Sequence, residues 1–472
     1  MWLTVPDQHV PQQPEIAPLA PGLRSESFRA ALNSDGKTAD AQTAAFAQTA
    51  EQGFYEPWFT DEQINRIGRI LVEDEQLLTG VYVDQDTAAD EPWGNALKEV
   101  GFDPSHPVGT FVDYDKTLNA GGPAGPLPAR LITMVTVNPS FRRRGILKHL
   151  MTSALSRAVE DGMAVAALTV SEGGIYGRFG FGCATREASI QVNLGEGSGQ
   201  SFALRSAPAG RVISADPVKL DEVINTSFEA FHDRTRGSIG RQQTYQLVSS
   251  ARWNLEDNSA WNRKLRAAVH VREDGSIGGY VTFKHEGWDT DPSTIRIYDL
   301  IAADDQSHLA LWDYIAGLDI VRRATMSTAA LSDPLQSALV NPRSYQVRKL
   351  SDVLWVRILD VVKALEARAW TADGAFRLEL EDGQGITGGS FTVSVDDGAA
   401  TLTRADDGAA PVTSDLPTLQ LSVETLGSLY LGDVSVRTLH AAGRLGGTTA
   451  EDVDRISRIM DLATLPFCAT HF

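Results

Sequence analysis

Arg142-Arg143-Arg144-Gly145 is the string in this chain whose residue types and spacing most directly suggest chemistry. It follows an apolar strand pattern over residues 129–137 and a turn through Pro139. It precedes a stretch, 142–161, in which Ile146, Leu147, Leu150, Met151, Ala154, Leu155 and Ala158 share one helical face. A strand that turns into a helix presents the helix's first backbone N–H groups without partners, at the positive end of the dipole, where a diphosphate can accept them. Gly145 lets an anion approach with no Cβ in the way, and arginines add charge and forked donors. A solvated basic turn paired with acidic neighbours is the other reading, and the four residues alone leave the two even.

The elements that position this loop come from 472 residues, room for about three domains at roughly 150 residues each. Hydrophobic residues make up 42% and charged residues 22%, and no apolar run approaches the ~18 residues of a spanning helix, so a globular protein without membrane insertion is expected. A formal net charge of −19 repels phosphate backbones and anionic membrane surfaces on average; it argues against nucleic acid and favours cationic partners. Cys183 and Cys468 allow at most one bridge and no zinc cluster, the usage of a reducing compartment. Residues 1–20 hold no Lys or Arg ahead of an apolar stretch, so no secretory signal is expected and the location is read as cytoplasmic.

Residues 1–52, rich in Pro, Ala, Gln, Ser and Thr, read as an N-terminal arm of uncertain order that is helical in part. After Phe54, Thr60 is a candidate N-cap of an amphipathic helix that leads into a strand. Strand 129–137, helix 142–161 and buried strand 163–170 form an α/β unit, followed by a strand at 188–194. Beyond the Gly and Ser stretch 195–200, two strands flank an Asp-Gly turn within 267–285, and 293–318 repeats the strand, loop, helix order. This repeat carries Asp304 and Asp305 where a phosphate loop would fall; their charge would repel diphosphate, so no cofactor is expected there. From about Asp352 the composition shifts to a third domain with strands such as FRLEL and FTVSV and two helices near the end.

With its strand before and helix after, Arg142-Arg143-Arg144-Gly145 resembles motif A of the GCN5-related N-acetyltransferases, although the usual small residue two places past the glycine is here Leu147. Four strings in order, VTVNPSFRRRGIL, SEGGIYGRFGFG, LWVRI followed by ALEAR, and GSLYLG, with an aromatic last residue, are similar to the Eis (enhanced intracellular survival) acetyltransferases, which accept a branched residue at that place. The resemblance covers residues 54–472 and implies an α/β (α+β) fold class: two tandem GCN5-related acetyltransferase-like domains, the second degenerate, followed by a sterol-carrier-protein-like domain. The expected boundaries are 1–52 for the arm, then 53–195, 196–351 and 352–472.

The resemblance implies acetyl-CoA as co-substrate and no metal. Val135, Thr136 and Val137 would offer a splayed strand edge to the pantetheine arm, although their side chains alone read as core. Arg143, Arg144, Gly145, Ile146, Leu147 and Lys148 would cradle the phosphates, and Ser171 and Glu172 would meet the cofactor from the next strand end. Tyr176 matches the family's general acid, since a phenol of pKa about 10 can protonate a thiolate of similar basicity; without the motif it reads as an aromatic packed beside Phe179 and Phe181. The implied base is the α-carboxylate of Phe472, carried back by the third domain, whose ordinary pKa of about 3.3–3.7 requires desolvation or a neighbouring ammonium. His471, with an ordinary pKa near 6.5, is the rival base and stands where the family often has an acidic residue. His149 is expected on the cofactor helix in a packing role. The implied function is acetyl-CoA-dependent N-acetyl transfer to polycationic acceptors such as aminoglycosides or lysine side chains, by a hexamer. The alternative is a non-catalytic CoA-sensing or lipid-binding protein that uses the third domain.

Overall fold

The computed structural model describes residues 11–84, 94–170, 172–195, 202–405 and 415–472. The first sheet runs β1 (Leu23–Arg29), β2 (Leu77–Val83), β3 (Gly109–Leu118), β4 (Leu127–Val137), β5 (Val165–Thr169), β14 (Leu354–Ile358) and β6 (Gly182–Cys183). The second runs β13 (Tyr345–Asp352), β7 (Arg186–Asn193), β12 (Arg323–Ala329), β11 (Thr294–Ala302), β10 (Ile277–His285), β9 (Arg266–Val271) and β8 (Arg211–Ala215). The third is β17 (Ala399–Arg404), β16 (Gly389–Asp396), β15 (Gly374–Glu381) and β18 (Thr418–Ser422). Three packed α/β units therefore carry the expected mixed fold.

The repeat read from the sequence is present in three dimensions. In the first unit the helix Ile146–Glu160 connects β4 to parallel β5; in the second, the helix Asp305–Ala316 connects β11 to parallel β12. Both pairs separate part-way along. Pairing of β4 with β5 ends at Ile132 and Leu168, although β4 continues to Val137, so residues 133–137 face a widening cleft. A bulge between Thr110 and Val112 of β3, opposite the positive φ of Met134, bends β4 at that point.

Two features of the organisation rest on long-range contacts. Residues 23–53, read as part of an arm of uncertain order, pack into the first unit: β1 pairs with β2 along its whole length, and the helix Ala41–Gly53 buries Phe46, Ala47 and Ala50 completely. The segment before β1 lies along the helix Ile146–Glu160, where the Ala17 N–H donates to Thr152 Oγ1 at 3.0 Å and the Ala20 N–H to the Arg144 carbonyl at 3.2 Å. The arm's residues 1–10 lie outside the described residues. The boundaries at 195/196 and 351/352 also cut through shared sheets. β7 leaves the first unit for the second sheet, and β14 returns to the first sheet between β5 and β6. Leu354, Val356 and Ile358 are wholly buried on one face and Arg357 on the other, and β14 is paired on both sides.

Thr60 caps the helix Asp61–Glu73 in a full capping box with Gln63, as expected. One contiguous core joins the first sheet to the third unit, from Phe46 and Val112 through Val356 to Phe391, Leu426 and Ile456. Among the described residues no helix is long and apolar enough to cross a membrane. Both cysteines are free, and burial pushes each thiol up to about 12.

Candidate active site

Where β4 and β5 part, a cavity of about 1040 Å³ opens. Val135, Thr136 and Val137 form one wall with backbone that β5 leaves unpaired. At the end of β4, Asn138 Oδ1 accepts the Ser140 N–H at 3.0 Å and starts a short 3-10 turn through Pro139 and Phe141. Arg143 and Gly145 then adopt positive φ values of 62° and 80°, and the chain enters the helix Ile146–Glu160. This helix has no side-chain cap, so its leading N–H groups, beside the cavity-lining Arg143, Gly145, Ile146, Leu147 and Lys148, are open to an anion. The second repeat differs at the same place, where Asp304 caps its helix by accepting the Ser307 N–H at 2.7 Å and pairs with Arg272 at 2.6 Å. The carboxylate there takes the place an anion would take.

Arg144 stands apart from the other predicted cradle residues. It does not line the cavity; its guanidinium lies over the Phe141 ring, 5.5 Å from the centroid, and its carbonyl accepts from Ala20. Arg142, outside the predicted set, does line it. His149 sits on the helix Ile146–Glu160 in a packing role: Nδ1 donates to the Ala17 carbonyl at 2.7 Å, and Nε2 lies 2.7 Å from Ser25 Oγ.

Across the cavity, Glu172 and Tyr176 line the wall that follows β5. Ser171 lies outside the described residues. Tyr176 is 8% exposed and packs edge-on against Phe181, with centroids 6.4 Å apart. Its carbonyl accepts the N–H groups of Phe179 and Phe181 at 3.0 and 3.3 Å, which fixes the loop. Burial, followed by the negative charge of Glu172, raises the phenol above its ordinary pKa, so it remains protonated through neutral pH.

The chain end returns to this region. Phe472 N–H donates to Thr169 Oγ1 at 3.1 Å, and the same hydroxyl donates to the Phe472 carboxyl, at the last residue of β5. The Phe472 ring meets Tyr114 edge-on at 6.3 Å. His471 is held differently: its N–H donates to Tyr245 Oη at 2.5 Å, and Nε2 lies 3.0 Å from Glu187 Oε2. Thr169 was not singled out in the sequence because an isolated strand threonine carries no signal.

Two further sets of lining residues were missed. Gln52, Gly53, Phe54 and Tyr55 come from the end of the helix Ala41–Gly53, which approaches so closely that a Cβ on Gly53 would lie 2.5 Å from Thr136 Cβ. Gln384 comes from the third unit and donates to the Arg178 carbonyl at 3.3 Å. Among the described residues no group of three or more His, Cys, Asp or Glu is placed to hold a metal ion.

Residues 75–184 and 237–358 each match an acetyltransferase (GNAT) domain, and residues 361–469 match a sterol carrier protein domain. N-acetyltransferase Eis of Mycobacterium tuberculosis is 32% identical over 347 residues, which span 72% of this chain and 80% of that protein. The chain belongs to the Eis family of N-acetyltransferases. An uncharacterized N-acetyltransferase of Streptomyces avermitilis is 32% identical over 381 residues, 79% of this chain and 87% of its own length. The crystal structure of Eis1 from Mycobacterium abscessus matches with a TM-score of 0.67 at 26% identity, over 79% of this chain and 89% of that one. A GCN5-related N-acetyltransferase from Anabaena variabilis shares the fold, with a TM-score of 0.71 at 19% identity over 95% and 100% of the two chains. This Eis-family protein is an N-acetyltransferase, and GNAT acetyltransferases use acetyl-CoA as co-substrate.

Proposed function

We propose that this Eis-family enzyme acetylates amines of polycationic acceptors, aminoglycosides or lysine side chains, with Tyr176 as general acid and the Phe472 α-carboxylate as general base. The observation that carries this reading is the return of the last residue to Thr169, at the end of the strand that leads into Glu172 and Tyr176. Acetyl-CoA, when bound, supplies an activated acetyl thioester. The uncapped helix start with Arg143 and residues 145–148 binds its diphosphate, and the free edge of residues 135–137 takes its extended arm. Arg144 supports the cradle from outside the cavity through its backbone. The Phe472 carboxylate receives the acceptor's proton, and the Tyr176 hydroxyl holds the proton a leaving thiolate needs. Phe472, and not the His471 imidazole, is bonded to Thr169 at the end of β5, which favours Phe472 over His471 as the base. The net charge of −19 favours cationic acceptors by long-range attraction. In this reading the second unit takes no cofactor, because Asp304 satisfies its helix start, and the enzyme works as a hexamer in the cytoplasm.

Incubation with acetyl-CoA and a panel of aminoglycosides and lysine peptides, followed by free-thiol release, is expected to show amine-dependent turnover. Absence of turnover with every amine, with apolar fluorescent probes bound to the third unit, would instead support the lipid-binding alternative.

A further inference from the structure

We propose that the second acetyltransferase-like unit is a clamp that positions the terminal carboxylate, with Arg241 and Tyr245 as its positioning residues. The inference rests on the reading of Phe472 as the base. It gives the degenerate repeat a task in the reaction at the other site.

The last six residues are held almost one by one. The Phe467 N–H donates to the Arg236 carbonyl at 2.9 Å, Arg241 Nη2 donates to the Ala469 carbonyl at 3.1 Å, and Thr470 Oγ1 donates to the Ile239 carbonyl at 3.4 Å. The His471 N–H donates to Tyr245 Oη, and its ring meets Glu187 of β7. Only then does Phe472 reach Thr169. A chain end normally frays, so this ordering must be offset by contacts, and residues 236–245 supply most of them.

Arg241 is the centre of the arrangement. Its side chain is 7% exposed and grips Asp299 of β11 with two bonds of 2.8 and 2.9 Å, while the Tyr280 and Ser249 hydroxyls donate to the same carboxylate at 2.5 and 2.8 Å. The guanidinium lies 4.3 Å from the Phe228 ring centroid and 4.4 Å from that of Tyr245. Two rings thus pack against the guanidinium and Asp299 fixes one edge, while Nη2, which bonds Asp299 Oδ1, also donates to the Ala469 carbonyl of the tail. A buried ion pair is a costly way to gain stability, since apolar residues of equal volume often do as well. What it provides here is direction: a planar fork can hold Asp299 with two parallel bonds and still donate to Ala469, a fixed geometry that an ammonium does not have.

The test uses the full chain with Arg241→Lys and, because that change disturbs a buried charge, Tyr245→Phe, which leaves the ion pair intact. Kinetics are measured with acetyl-CoA and kanamycin, and amide hydrogen exchange is followed over residues 467–472. Arg241→Lys is expected to lower kcat at least tenfold and Tyr245→Phe about threefold, with KM for acetyl-CoA within twofold of the parent. Tail amides should exchange at least tenfold faster in both, with the helix Ile146–Glu160 unchanged. In a chain extended by one C-terminal glycine, which has already lost its base, neither substitution should lower kcat further. Parental tail protection in both variants overturns the clamp whichever amine is used, and so does an additional loss in the extended chain. Full turnover by the extended chain instead overturns the terminal base and the clamp's purpose with it; an inactive extended chain beside fully active variants overturns the clamp alone.

Discussion

At the scale of single residues, protonation separates the groups that matter. Tyr176 keeps its proton because burial and Glu172 both disfavour the phenolate. Loss of the acid form should therefore begin only above the ordinary value of about 10, and the basic limb of the kcat profile is expected above that pH. Tyr176→Phe should lower kcat by about 10²–10⁴-fold and leave KM for acetyl-CoA nearly unchanged, as steady-state kinetics would show. Glu51, beside the cavity-lining Gln52 and Gly53, titrates in the opposite sense to a salt-bridged carboxylate: burial, and then Glu56, raise it from 4.5 to about 7. The native state thus binds more protons than the unfolded chain between those values. Its contribution to stability is complete below pH 4.5 and is lost as pH rises through 7. Glu51→Gln should accordingly stabilise the protein by about 1–3 kcal/mol at pH 8 and have little effect at pH 4, read from denaturant midpoints. Tyr176 and Arg143 were legible in the sequence because their neighbours form a motif. Thr169 and Gln384 were not, since each acquires its role from a residue more than 200 positions away.

At the scale of elements, three of the four strings that suggested the family meet at one junction behind Tyr176. A Cβ on Gly427, in the GSLYLG string, would lie 2.3 Å from the Val356 carbonyl in LWVRI and 3.0 Å from the backbone N of Gly182, at the end of the Tyr176 loop. The Arg357 guanidinium packs against Gly180 and pairs at 2.7 Å with Asp382, both side chains wholly buried. These glycines are close-approach positions between backbones, so Gly427→Ala should cost about 1–3 kcal/mol in a denaturant melt by forcing the helix Val423–Tyr430 off β14 and β6. Gly145 has a different requirement. Its φ of 80° and the Pro18 carbonyl, 2.9 Å from a built Cβ, penalise any side chain. Gly145→Ala should raise KM for acetyl-CoA well before it lowers kcat, because the strain falls on the helix start. The elements themselves were readable, since alternation and caps are local signals. Their sheets were not: period-two patterning identifies β7 as a strand without saying which edge receives it, and the apolar run that holds β14 carried no strand reading of its own.

At the scale of the whole molecule, the three units are interlocked rather than strung in line. β7 and β14 cross between units, one core runs from Phe46 to Ile456, and the tail crosses the second unit to end at the first. Removing residues 361–472 should therefore do more than delete the terminal carboxylate. It would expose Val356 and its buried neighbours, and the truncated chain is expected to aggregate, as size-exclusion chromatography would show, rather than remain as a folded cofactor-binding fragment.

The sequence by itself determined the α/β units and their repeat, and its motifs marked the candidate anion-binding loop and the candidate acid, because each depends on residues within a few turns of one another. Only the tertiary structure decided where residues 11–52 go, which sheets exchange strands, and what receives the chain end. Those outcomes depend on contacts between segments hundreds of residues apart, whose side chains carry no local mark of their partners.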